Sequence, residues 1–101
     1  MIRISIDRED VLLTMDGHAG YAEPGSDIVC AAASILAYTA AARLREITGG
    51  DGLIVRLAPG DAFIHADPQW QTSGECMAVM DTISAGFALL AGQYPDHISI
   101  A

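Results

Sequence analysis

The sequence predicts an α+β domain, one sheet packed against two helices in the order ββαββαβ. Three observations carry this. Short segments place apolar residues at every second position, as Ile2, Ile4 and Ile6 do around Arg3 and Ser5. An uncharged, alanine-rich run of 15 residues extends from Ile28 to Ala42. Farther along, Cys76, Met80, Ile83, Phe87, Leu90 and Tyr94 recur at steps of four and three, which is one face of a helix.

The alternation over Ile2–Ile6 is that of a half-buried strand. Asp7 to Asp10 is a polar turn, and Val11 to Met15 is a second strand, so the two form a hairpin that ends at Asp16-Gly17. A loop through Gly20, Pro24 and Gly25 follows. Ser26 and Asp27 are both good N-caps for a first helix that runs to about Thr48, where Gly49-Gly50 stops it. Its small residues permit close packing across a sheet. Leu53–Leu57 is a third strand, Pro59-Gly60-Asp61 a turn, and Ala62–Ala66 a fourth strand. Thr72-Ser73-Gly74-Glu75 has the spacing of a capping box before the second helix. Pro95 ends that helix, and His97–Ile100 reads as a short last strand. No composition shift divides the chain, so residues 1–101 are expected to form one domain.

Composition narrows the functions. Thirteen acids against five arginines, with no lysine, give a net charge of −8. Phosphate binding needs Lys or Arg to displace counterions, so direct nucleic-acid binding is not expected. A basic peptide or protein partner fits the field better, although an acidic balance also serves solubility. Residues are 51% hydrophobic and only 18% charged, which leaves apolar surface for a second copy, and a homodimer is expected. The Ile28–Ala42 run falls short of the ~20 residues of a membrane span, so it reads as a buried helix, with no membrane role. No signal-peptide pattern stands at Met1-Ile2-Arg3-Ile4, and a cytoplasmic location with reduced thiols is the expectation.

The chemistry concentrates between Gly17 and Leu36, GHAGYAEPGSDIVCAAASIL. His18 stands at a strand end and Cys30 in the first turn of a helix, joined by a glycine-rich loop. A thiol at a helix N-terminus meets unsatisfied N–H groups and the positive end of the dipole, and a nearby imidazolium adds to them in favouring the nucleophilic thiolate. The same N–H groups offer an oxyanion site, and His18 is placed to take the thiol proton and return it to a leaving amine. The plainer reading is a small buried cysteine and a turn histidine. Asp27 has three readings: helix cap, orienting group for His18, or contact to substrate backbone; as a carboxylate beside the thiol it also opposes the dipole. Ser34 lies one turn after Cys30 on the same face, either as a supporting group or as a packing residue. The loop from Ala19 to Ser26, with Gly20 and Gly25, reads as a substrate loop with lid character or as an ordinary connector. Cys76 belongs to the core stripe, His65 to a strand and His97 to the end of the chain, with Trp70 a staple at most. No zinc spacing, phosphate loop or nucleotide fingerprint is present, so neither metal nor cofactor is expected.

Gly17-His18-Ala19, Gly25, Asp27-Ile28-Val29-Cys30-Ala31-Ala32 and Ser34 together resemble the signature of the ribosomal-processing cysteine protease (Prp) family. His18 and Cys30 match that family's catalytic histidine and cysteine. The resemblance implies a dimeric protease that removes the N-terminal extension of a bacterial large-subunit ribosomal protein, cutting after an aromatic residue in a lysine-bearing peptide. The alternative is a non-catalytic module of the same fold that binds a basic ribosomal protein. A plain dimeric scaffold is the third reading, and it leaves the Gly17–Cys30 stretch without a purpose.

Overall fold

The computed structural model describes residues 1–23 and 27–101. Its elements run β1 (Ile2–Asp7), β2 (Leu12–Asp16), α1 (Ile28–Thr48), β3 (Leu53–Ala58), β4 (Asp61–Ala66), α2 (Gly74–Gln93) and β5 (Ile98–Ile100), with one 3-10 turn at Pro68–Trp70 before α2. This is the predicted ββαββαβ order. The five-stranded sheet has the order β3-β4-β2-β1-β5. All pairings are antiparallel except β1 with β5, which brings Ile2 opposite Ile98 and Ile4 opposite Ile100.

The alternation sets one face of the sheet inward. Ile2 and Ile4 of β1, Leu13 and Met15 of β2, Ala62, Ile64 and Ala66 of β4, and Ile98 of β5 are all buried. Against them lie Val29, Ala33, Ala37, Ala40, Ala41 and Leu44 of α1 and Cys76, Met80, Ile83, Phe87 and Leu90 of α2. By length and apolar composition alone, either helix matches a membrane span. Here each lays a buried stripe on the sheet. The two helices also pack closely at Gly86 of α2, where a Cβ would stand 2.7 Å from a Leu36 methyl group of α1.

Two element boundaries differ from expectation. The α2 cap is Ser73, whose hydroxyl accepts from the Cys76 N–H at 3.2 Å, so the Thr72–Glu75 capping box does not form. Ser73 offers the same chemistry one residue later, and Glu75 instead extends toward Arg43, 3.5 Å away. Val11 does not open β2. It has φ 48 in the turn after Asp7, whose Oδ1 accepts from the N–H groups of Glu9 and Asp10. A β-branched residue in that region costs about 1–2 kcal/mol. Complete burial of the Val11 side chain, worth about 1.5–3 kcal/mol, offsets it. Trp70 does not staple α2: its Nε1 donates to the Asp51 carbonyl at 2.8 Å and pins the α1–β3 connection.

Candidate active site

Asp27 is the N-cap of α1 and the organising group of the site. Its Oδ1 accepts from the N–H groups of Val29 at 3.0 Å and Cys30 at 2.9 Å. Its Oδ2 accepts from Tyr21 at 3.0 Å and Ala22 at 3.3 Å, so one carboxylate ties the helix end to the loop that follows His18. Burial pushes this carboxyl up, but the N–H donors of Cys30, Ala22, Tyr21 and Val29 pull it down further, and it lies below the usual carboxylate range.

This geometry decides two open readings. Both Asp27 oxygens are engaged by backbone N–H groups, so capping is its structural role, and His18 is not among its hydrogen-bond partners. The Val29 and Cys30 N–H groups, expected to stand ready for an oxyanion, already donate to Asp27. The helix contributes its dipole there, while those two donors are committed to the cap.

His18 follows the end of β2. Gly17, at φ 101, makes the bend: a Cβ there would collide with the Met1 carbonyl oxygen. The Gly17 N–H donates to the Gly60 carbonyl at 2.9 Å, and the Met1 amino nitrogen donates to the His18 carbonyl at 2.6 Å. The exposed His18 ring lies against Gly60 in the β3–β4 turn. A Cβ on Gly60, which has φ 72, would stand 2.8 Å from His18 Cε1 and 3.0 Å from Nδ1. Only glycine leaves room for the imidazole here.

His18, Gly20, Asp27, Cys30 and Ser34 all line one cavity of about 460 Å³, together with Ala22, Ala31, Pro59 and Gly60. The structure thus gathers five of the residues singled out from sequence. Gly25 lies outside the described residues. Cys30 is half-buried at the cavity wall, whereas Cys76 is fully buried in the core. His65 faces the outer side of the sheet, its ring 6.4 Å from Phe63. Among the described residues, no three His, Cys, Asp or Glu side chains converge as metal ligands.

Sequence reasoning missed Pro59, Gly60 and His97. Pro59-Gly60 carried a clear turn signal, but nothing in the sequence indicates that the turn backs onto His18. His97 carried no signal at all. Its Nδ1 lies 2.9 Å from the Ala19 carbonyl, across 78 residues of sequence.

Comparison with known proteins bears on the family and the fold. The family model described as Cysteine protease Prp matches residues 1–99. Comparison with curated proteins gives no match. Among solved structures, the chain is similar to the ribosomal processing protease Prp from S. aureus in complex with a covalently linked product peptide, at 23% identity and TM-score 0.72 over 98% of this chain and 94% of that one. It is equally similar to the S. aureus protease with a substrate peptide, at 22% identity and TM-score 0.72 over 100% and 98% of the two chains. SMU.848 from Streptococcus mutans shares 24% identity and TM-score 0.72 over 99% and 91%. At these identities the structures establish the shared fold, and with the family match over nearly the whole length they lead to one conclusion: the chain belongs to the Prp family of cysteine proteases.

Proposed function

We propose that Cys30 and His18 form the catalytic dyad of a peptide hydrolase acting on the N-terminal extension of a bacterial large-subunit ribosomal protein. The observation that carries the dyad is the single cavity lined by both side chains at the head of α1. His18 takes the Cys30 thiol proton, and Sγ attacks the scissile carbonyl carbon. The C–N bond then breaks as His18 returns the proton to the leaving amine. A water molecule hydrolyses the resulting thioester, again with His18 as base, and frees Sγ. Ser34 supports the cavity wall one turn after the thiol, and the loop that carries Gly20 borders the peptide.

The ribosomal substrate rests on family membership and on charge. Arg3, Arg8, Arg43 and Arg56 are each paired with an acid, at Asp16, Asp81, Glu46 and Glu75, and Asp61 respectively. The unbalanced surface charge is therefore negative and attracts a lysine-bearing peptide. Incubation with the N-terminal peptide of the large-subunit ribosomal protein from the same organism, read by mass spectrometry, tests the assignment. A product cut after an aromatic residue is expected; binding without cleavage supports the non-catalytic module instead. A cytoplasmic location, where thiols stay reduced, fits this chemistry.

Thiol reactivity gives an independent check. Iodoacetamide near neutral pH is expected to label Cys30 well before Cys76, because one thiol opens on a cavity beside a base and the other is sealed in the core. Equal labelling, or labelling of Cys76 alone, counts against the dyad.

We also infer a homodimer. Ile28, Ile35, Ile54 and Leu89 are each more than half exposed. A standard interface covers about 800 Å² per partner, and the chain exposes 5411 Å² in all. Light scattering at micromolar concentration should give twice the 10.6 kDa of one chain. A species at the single-chain mass excludes a stable dimer but leaves the dyad standing.

A further inference from the structure

We propose that His97 is a positioning residue, whose imidazole holds the Ala19 carbonyl and so fixes the place of the His18 side chain. The inference rests on the dyad reading above.

The segment that carries His18 is held from several sides. Upstream, the Gly17 N–H is bonded to Gly60. Downstream, the N–H groups of Tyr21 and Ala22 are bonded to Asp27. Between these points, the bond made to the segment by a side chain from the far end of the chain is that of His97 Nδ1 to the Ala19 carbonyl, at 2.9 Å. A carbonyl oxygen only accepts, so Nδ1 must carry a proton and act as donor. This holds for the neutral Nδ1–H tautomer and for the imidazolium alike, so the clasp does not depend on which is present.

His97 is itself fixed. Its N–H donates to the Tyr94 carbonyl at 3.0 Å, and its carbonyl accepts from the Ile2 N–H at 2.9 Å, just before β5 joins the sheet. Its ring meets Tyr21 edge-on at 5.3 Å between centroids, and Tyr21 meets Tyr94 in the same way at 5.5 Å. The three rings thus pack as a chain, with Tyr21 between His97 and Tyr94. Ala19, the residue grasped, is buried to 2% exposure, whereas its neighbour His18 is exposed. An exposed catalytic base needs its backbone fixed by neighbours, because little packing restrains its ring, and a displacement of about 1 Å costs up to about a hundredfold in rate.

The test reads the Cys30 thiol directly, without any peptide, as the rate of alkylation by iodoacetamide near neutral pH. Four variants are compared with the unaltered protein: His18→Ala, His97→Leu, His97→Asn and the double variant His18→Ala/His97→Leu. His97→Leu is expected to slow alkylation about tenfold, toward the His18→Ala rate. His97→Asn carries an amide N–H close to the position of Nδ1 and is expected to stay within about twofold of the unaltered rate. The double variant should react no more slowly than His18→Ala alone, because the two residues act as one unit.

An unaltered rate in His97→Leu overturns the inference. So does an Asn variant as slow as the Leu variant, or a double variant in which the losses multiply. Should His97→Leu fail to fold by circular dichroism, Tyr21→Ala decides, since Tyr21 is 46% exposed and its loss removes the ring that packs edge-on against His97 without emptying the core. It is expected to slow alkylation about threefold, and an unchanged rate again overturns the proposal. If His18→Ala itself alkylates at the unaltered rate, the dyad reading has failed and the inference falls with it. If His18→Ala is slow while His97→Leu is not, the dyad stands and only the role of His97 is lost.

Discussion

Replacing Cys30 by alanine is expected to abolish peptide cleavage, a loss on the order of 10⁴-fold or more, since removing a nucleophile leaves only binding and electrostatic contributions. The fold should survive. Cys30 is half-buried at a cavity wall, and exchange of one small residue for another costs about 1 kcal/mol at most. Mass spectrometry of the peptide and a thermal melt on the same sample separate the two effects. His18→Ala should lose cleavage likewise, its exposed ring contributing little to stability. Retained cleavage in Cys30→Ala would remove the nucleophile assignment.

The second large effect is expected at Asp27. Alanine there removes the acceptor of four backbone N–H groups at once. Loss of the helix cap costs about 1–2 kcal/mol, and release of the two loop amides, which water can reach, adds about 1 kcal/mol. Cleavage should fall as well, because the same carboxylate sets the loop after His18 against the helix that carries Cys30. Asp27→Asn keeps a single acceptor oxygen, so it can preserve the cap or the loop tie, not both, and should lose about half as much stability. Chemical denaturation measures these steps; an Ala variant as stable as the original would refute the clamp. The acid limb gives a further reading. The folded-state carboxyl titrates below its unfolded value of about 3.9. The stabilisation that depends on its charge is therefore complete above that pH and disappears as pH falls through the lower, folded value. The stability gap between the unaltered protein and Asp27→Ala should narrow there, toward that of Asp27→Asn.

The local elements were legible because each rests on neighbours in sequence. Alternation at Ile2, Ile4 and Ile6 placed β1, the steps from Cys76 to Tyr94 placed the buried face of α2, and Gly49 marked the end of α1, where it takes φ 66. Asp27 was recognisable as a cap, but its second set of partners was not, because Tyr21 and Ala22 come to it through the course of the loop. The choice between Thr72 and Ser73 lay beyond local chemistry, since both hydroxyls cap equally well and packing of Cys76 into the core fixes the helix phase. Val11 ran against its own preference because the interior outweighs the backbone. At the site, the closeness of His18 and Cys30 came from resemblance to a family, whereas composition and spacing gave only a histidine and a cysteine 12 residues apart. Gly60 and His97 reach His18 from two other parts of the chain. No pattern within a window of sequence announces a contact of that kind.

The parallel pairing of β1 with β5 joins the first strand to the last. Closing a loop of that length costs about 4 kcal/mol of chain entropy. Three paired positions return little of it until the helices are already in place. Contacts so distant in sequence are expected to form after the β1–β2 and β3–β4 hairpins, whose strands are neighbours in sequence. His97 stands at the threshold of β5, so the grip on Ala19 is made only when this final strand docks. An order of folding is expected from this: the helix that carries Cys30 forms early, and the bond from His97 to the Ala19 carbonyl closes when the two ends of the sheet meet.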